Sequence, residues 1–363
     1  MLDCESFCAA LEERHIGLVT GVPDSLLSGF SAYVMDSSYK ERHIITANEG
    51  GAIALATGHY LATQQISLVY MQNSGLGNAI NPLVSLADAS VYSIPMLLMI
   101  GWRGEPNQKD EPQHLTQGRI TLSLLETLGI PYAVLPDNPE ELNACLDVAF
   151  TSMQTRSAPY ALVVRKGTFS MNSCYETPST RYALTREHAI QLVIDHLSLN
   201  DVIVSTTGMA SRELFEYRKA LGQGHEADFL TVGSMGHASQ IALGIALAKP
   251  ERNVYCLDGD GALLMHMGCL PIIASQSVKN FKHIVLNNGA HDSVGGQPTT
   301  GFMIDIPAIA KNCGYKTVCR ADTSEQLVEA MQQLRNSDGT ALLEIRIKTG
   351  ARKDLGRPTR SPI

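Results

Sequence analysis

Residues 256–293 read CLDGDGALLMHMGCLPIIASQSVKNFKHIVLNNGAHDS. An apolar run ends on Gly259-Asp260-Gly261, and a second ends on Asn287-Asn288 after 25 intervening residues. Short β-branched runs followed by glycine are strands that deliver their loops to the carboxyl edge of a parallel sheet, where α/β proteins bind ligands. Flanking glycines let backbone amides approach a phosphate, and Asp260 then projects beside it. The second strand brings Asn288 to the same edge. A carboxylate, an amide oxygen and a nearby carbonyl are hard ligands, which with two diphosphate oxygens and a water complete an octahedron around Mg²⁺. The spacing thus predicts a metal-bound diphosphate, with one helix from about residue 262 to 275 between the strands.

The same alternation extends outward. Runs such as GLVTGV, ISLVYM, PMLLMI and YALVVR alternate with helical-period segments such as SFCAALEERH, GAIALATGHYLATQ and EELNACLDVAFTSMQ. The pattern lapses after Lys166 into a Ser-, Thr- and Pro-containing stretch, then resumes with TREHAIQLVIDHLSL, DVIVSTTG, NVYCLD, HIVLNN and ALLEIRI. This predicts α/β architecture in two doubly wound parallel-sheet domains, 1–168 and 187–363, with 169–186 as linker. Acids exceed bases, 36 to 28, with no block of like charge, which argues against a nucleic-acid partner and for a small molecule. The eight cysteines form no C-x-x-C pair and read as reduced thiols, with Cys4 and Cys8 on one buried helix face. An acidic N-terminus and the short apolar run IPMLLMIGW predict a soluble cytoplasmic chain with no membrane partner.

Gly-Asp-Gly, 25 residues, then Asn-Asn resembles the signature of thiamine-diphosphate-dependent decarboxylases and carboligases. The resemblance implies thiamine diphosphate and Mg²⁺ as cofactors, with Asp260, Asn288 and the carbonyl of Ala290 as metal ligands. Gly259, Gly261 and Ala262 would line the diphosphate, as would Thr207 and Gly208 in STTGM (205–209). GSMGH (233–237) resembles the segment whose apolar residue wedges under the cofactor, here Met235 beside Ser234; a core methionine is the plainer alternative. TANEGGAIALATGHY (46–60) places Glu49 where the family holds a catalytic glutamate against the pyrimidine, although a helix N-terminal charge would look the same. QNSGLGN (72–78) resembles the pyrimidine loop and contributes Gly75, with the usual Gly-Pro-Gly altered.

The first domain is thereby expected to bind the pyrimidine and the second the diphosphate. Most family decarboxylases carry a third domain between these two, and here only a linker separates them. GVPDSLL (21–27), WRGEPNQKDEPQH (102–114), DSVGGQPT (292–299) and GARKDLGRPT (350–359) resemble the branch acting on pyruvates with an anionic group at C3, phosphonate in preference to sulfonate. A carboligase of acetolactate type and a non-catalytic nucleotide-binding chain stand as alternatives. Arg103, Arg352, Lys353 and Arg357 are candidates to hold the anionic group. Asp24 and His114 match proton-relaying residues, with helix capping the alternative for Asp24. The resemblance also implies a homo-oligomer, at least a dimer, whose site joins Glu49 of one chain to Asp260 and Asn288 of another.

Overall fold

The structure, a computed structural model, describes residues 1–170 and 181–359. The chain divides into two compact units, Met1–Glu176 and Thr177–Ile363.

The first unit holds β1 (Leu18–Gly21), β2 (His43–Ile45), β3 (Ser67–Gln72), β4 (Leu97–Gly101), β5 (Tyr132–Val134) and β6 (Tyr160–Val164). They form one parallel sheet in the order β2-β1-β3-β4-β6-β5. The second holds β7 (Val202–Ser205), β8 (Asp228–Leu230), β9 (Val254–Gly259), β10 (Phe281–Asn287), β13 (Thr317–Ala321) and β14 (Ala341–Arg346), with a small hairpin of β11 (Ala290–His291) and β12 (Gln297–Pro298) after β10. Its six-stranded order is β13-β14-β10-β9-β7-β8. Renumbered from its own first strand, this is the path of the first unit, so the two units repeat one topology. In each, the chain reverses its direction of travel across the sheet between the first strand and the third, which opens a crevice at their carboxyl ends.

Helices cover both faces, so strand residues are buried whichever way they point. In β3, Leu68 and Tyr70 enter one core while Val69 and Met71 enter the other. In β9, Tyr255 and Leu257 lie opposite Val254 and Cys256. Unbroken apolar runs follow from this double burial, and they made the central strands readable. The sequence reading missed β2, β5, β8 and β13. All four are sheet edges, most of their residues are only partly buried, and their strands (HII, YAV, DFL, TVCRA) are too short for a recognisable pattern.

The expected helix from 262 to 275 is also corrected. It begins at Asp260 and is broken into Asp260–Met265 and Cys269–Ser275. Pro271 would clash with the carbonyl four residues back in a continuous helix, and Gly268 favours the break. The seven cysteines among the described residues are free thiols, with Cys4 and Cys8 buried as expected; Cys174 lies outside the described residues. Among the described residues no helix is long and apolar enough to cross a membrane.

Two glycines let the helix Pro112–Thr127 approach the end of β4. A Cβ on Gly118 would stand 1.7 Å from the carbonyl oxygen of Gly104, and the indole of Trp102 donates to the Gly118 carbonyl at 2.8 Å. Trp102 is the chain's one tryptophan. Gly118→Ala is therefore expected to cost about 1–3 kcal/mol through overpacking and to red-shift the tryptophan emission. Unaltered emission with an unaltered denaturation midpoint would contradict this packing.

Candidate active site

Each unit gathers polar side chains at the carboxyl ends of its central strands. In the first unit, Glu49 opens the helix Glu49–Thr63, whose N-cap Asn48 accepts from the amide of Gly51. A glutamate at a helix start is normally solvated, but Glu49 is 5% exposed. Burial raises its pKa, against the pull of a 2.8 Å hydrogen bond from Asn78 Nδ2. Gly75 lies directly against it: a Cβ there would stand 2.4 Å from Glu49 Oε1. The altered glycine loop thus keeps a residue without a side chain where the carboxyl group needs the space.

Asp24, just past β1, is fully buried. Gln72, the last residue of β3, donates to its Oδ1 at 2.6 Å, and the amide of Leu26 donates to Oδ2 at 3.1 Å. Asp24 therefore does cap the short turn that follows, but its burial exceeds what capping needs. That burial raises its pKa, opposed by Gln72 and by Arg103.

Asp110, absent from the sequence reading, organises the next cluster. It takes a two-pronged hydrogen bond from Arg103, one from the amide of Gly104 at 2.7 Å, and one from His114 Nδ1 at 2.9 Å. Although burial opposes it, the hydrogen bonds of Arg103 and His114 hold its carboxyl well below the usual range. Donation from Nδ1 to the carboxylate leaves His114 Nε2 as the ring's acceptor. Arg103 is thereby committed to Asp110 and to Ser25 Oγ at 2.9 Å, so its charge is already balanced. The i, i+4 spacing of Asp110 and His114 on DEPQH was the available signal.

In the second unit, Asp260 follows β9 and is 2% exposed. Burial pushes its pKa up to about 7, against hydrogen bonds from the Thr299 hydroxyl and from backbone amides including that of Asn288. No ion pair to Asp260 occurs among the described residues. Asn288 is 6% exposed, and its Oδ1 accepts the amide of Ala290 at 3.1 Å. Flanking bonds join Gly289 to Thr299 and His291 to Gly296, so Ala290 faces Pro298 at a position without ladder bonds and its carbonyl turns away from β12. A buried carboxyl group and two neutral oxygens make a hard donor set, which fits Mg²⁺. Cys256, Asp258 and His283 form a separate buried group inside the sheet, where Asp258 meets His283 Nε2 at 3.3 Å.

Around these residues, a Cβ on Gly261 would stand 2.9 Å from His291 and 3.4 Å from Met235 Cε, whereas one on Gly259 would meet nothing within 4 Å. Open space at Gly259 and the buried amides from Gly261 to Ala262 fit a diphosphate. Met235 and His291 are thus neighbours; His291 was missed, and burial lowers its pKa to about 4, leaving it neutral. Ser234 is exposed with φ +53°. Gly208 starts the helix Met209–Ala220 with φ +99°, and Thr207 donates to the Val232 carbonyl at 2.9 Å. Among the C-terminal cations, Arg352 pairs with Glu187, Glu216 and Asp354, Arg357 has partners, and Lys353 is exposed.

Comparison with known proteins agrees with this division. Residues 4–124 match the N-terminal TPP binding domain of thiamine pyrophosphate enzymes, and residues 206–345 match the C-terminal TPP binding domain. The chain is 34% identical over 377 aligned residues to a phosphonopyruvate decarboxylase of Streptomyces viridochromogenes, covering 100% of this chain and 92% of the relative. The chain belongs to the thiamine pyrophosphate enzyme family. It is a decarboxylase of that family, and thiamine diphosphate is its cofactor. A sulfopyruvate decarboxylase of Methanosarcina acetivorans is 29% identical over 84% of this chain and 81% of its own. The beta subunit of the Methanocaldococcus jannaschii sulfopyruvate decarboxylase is 36% identical over 41% of this chain and 74% of the subunit. The family's third domain has no counterpart here, since only residues 171–180 separate the described parts of the two units.

A carboxyl group whose folded pKa is raised destabilises the fold as pH rises above its ordinary unfolded value, and fully above the raised one, because the unfolded chain ionises more freely. Glu49→Gln should therefore raise the melting temperature of the cofactor-free protein at pH 8, by about 2–4 °C for each kcal/mol relieved. The gain should shrink as pH falls towards the ordinary glutamate value. A loss of stability at pH 8 would contradict the burial assigned to Glu49.

Proposed function

We propose that this chain decarboxylates 3-phosphonopyruvate to phosphonoacetaldehyde and CO₂ with Mg²⁺-bound thiamine diphosphate, as a step of phosphonate biosynthesis. The full-length 34% identity to a phosphonopyruvate decarboxylase carries the choice of substrate. Sulfopyruvate, supported by the relative covering 84% of the chain, is the second reading.

In this reading one C–C bond breaks, CO₂ departs, and the carbon it leaves takes a proton. The cofactor, when bound, supplies the electron sink for the pair released with CO₂. Glu49 holds a proton at the pyrimidine ring, which its burial against Gly75 and Asn78 favours. Asp260, Asn288 and the Ala290 carbonyl hold Mg²⁺, and the amides from Gly259 to Ala262 and from Thr207 to Gly208 receive the diphosphate. Met235, with Ser234 beside it, would line the cofactor site. Asp24 and His114 manage protons at the reacting carbon, His114 with its ring fixed by Asp110. Because Arg103 and Arg352 already face carboxylates, the exposed Lys353 is the better candidate for the phosphonate.

With equal concentrations of 3-phosphonopyruvate and 3-sulfopyruvate, kcat/KM is expected to favour the phosphonate, measured by CO₂ release and by capture of the aldehyde. Equal or reversed preference would move the assignment to the sulfonate. The active unit is proposed to be at least a homodimer, with Glu49 of one chain serving Asp260 and Asn288 of another. Glu49→Gln and Asp260→Ala proteins should each be inactive, and co-refolding them should restore activity, since some sites then combine both intact residues. No recovery after demonstrated subunit exchange would exclude a shared site.

A further inference from the structure

The stretch DSVGGQPT, which begins at Asp292, has a place in the second unit that the functional reading leaves unused. One oxygen of Asp292, Oδ2, accepts three hydrogen bonds: from Asn288 Nδ2 at 2.7 Å, from Arg186 Nη1 at 3.0 Å and from the amide of Gly350 at 2.9 Å. Arg186 is itself buried and clamped by two hydrogen bonds to buried Glu213, at 2.8 and 3.1 Å. Asp292 therefore cannot swing aside without breaking a buried ion-pair network that spans three segments of the unit.

The consequence falls on Asn288. Its carboxamide has a donor end and an acceptor end, and rotation by half a turn exchanges them. An ionised carboxylate only accepts and a backbone N–H only donates, so Asp292 fixes the amino end while the amide of Ala290 fixes the oxygen end at 3.1 Å. The oxygen keeps a second lone pair. We propose that Asp292 is a positioning residue that holds the Asn288 carboxamide with its oxygen, and never its amino group, towards the metal. This rests on the reading of Asn288 as a Mg²⁺ ligand. Restraint of a ligand's orientation from its second coordination layer commonly changes metal affinity about 10- to 100-fold.

The test is Mg²⁺ affinity in the presence of thiamine diphosphate, measured by calorimetry on the full chain, with circular dichroism as the check on folding and Asp260→Ala as reference. Asp292→Ala is expected to weaken Mg²⁺ binding about 10- to 100-fold. Asp292→Asn can present an amide oxygen to the same three donors and should stay close to wild type. A merely structural role would not separate the two variants in this way. Wild-type Mg²⁺ affinity in folded Asp292→Ala, or equal loss in both variants, overturns the proposal. If Asp292→Ala is not recovered folded, Asp292→Glu keeps the charge for Arg186 but moves the accepting oxygen by a methylene; weaker binding then supports the proposal and wild-type binding overturns it. Unchanged Mg²⁺ binding in Asp260→Ala defeats the ligand assignment together with this inference, whereas loss in Asp260→Ala alone defeats only the role of Asp292.

Discussion

Burial of a carboxyl group without a cation is the constraint on which both units turn. Glu49 and Asp260 sit at the starts of helices, at the carboxyl ends of sheets, almost sealed from solvent and held by hydrogen bonds alone among the described residues. A protein gains nothing in stability from such an arrangement, because a desolvated carboxylate favours its neutral form. In the proposed function a ligand offsets this cost: a ring nitrogen would share the proton of Glu49, and a divalent cation would neutralise Asp260.

Repetition of one topology explains why the same device occurs twice. Each sheet changes its direction of winding between its first and third strands, so the loops after β1 and β3, and after β7 and β9, face a ready-made crevice. Asp24, Gln72 and Gly75 occupy the first crevice, and Gly208 and Asp260 the second. The surrounding polar groups then divide the labour. Asp110 sets His114 and offsets Arg103. Asp292 accepts from Asn288 and from the amide of Gly350, and so ties the segment around Gly350 to the loop after β10.

Much of this was legible because the chemistry lies next to strong strand signals. Asp260 and Asn288 follow central strands buried on both faces, whose apolar runs place the loops unambiguously. The edge strands were invisible for the complementary reason, being short and only partly buried. Asp110 and Asp292 escaped because an acid in a loop looks the same whether solvated or buried. Asp292 meets Arg186 across 106 residues of chain, a pairing no local pattern encodes. The same blindness made Arg103 and Arg352 look like free cations, when each already faces carboxylates.

Central to the account is that Asp260 provides the anionic charge through which Mg²⁺ secures the cofactor. Calorimetric titration of thiamine diphosphate into wild-type and Asp260→Ala protein, each with and without Mg²⁺, addresses it directly. The account predicts that Mg²⁺ strengthens cofactor binding to the wild type and has little effect on a folded Asp260→Ala protein, which binds weakly throughout. Wild-type affinity with a normal response to Mg²⁺ in Asp260→Ala would contradict it.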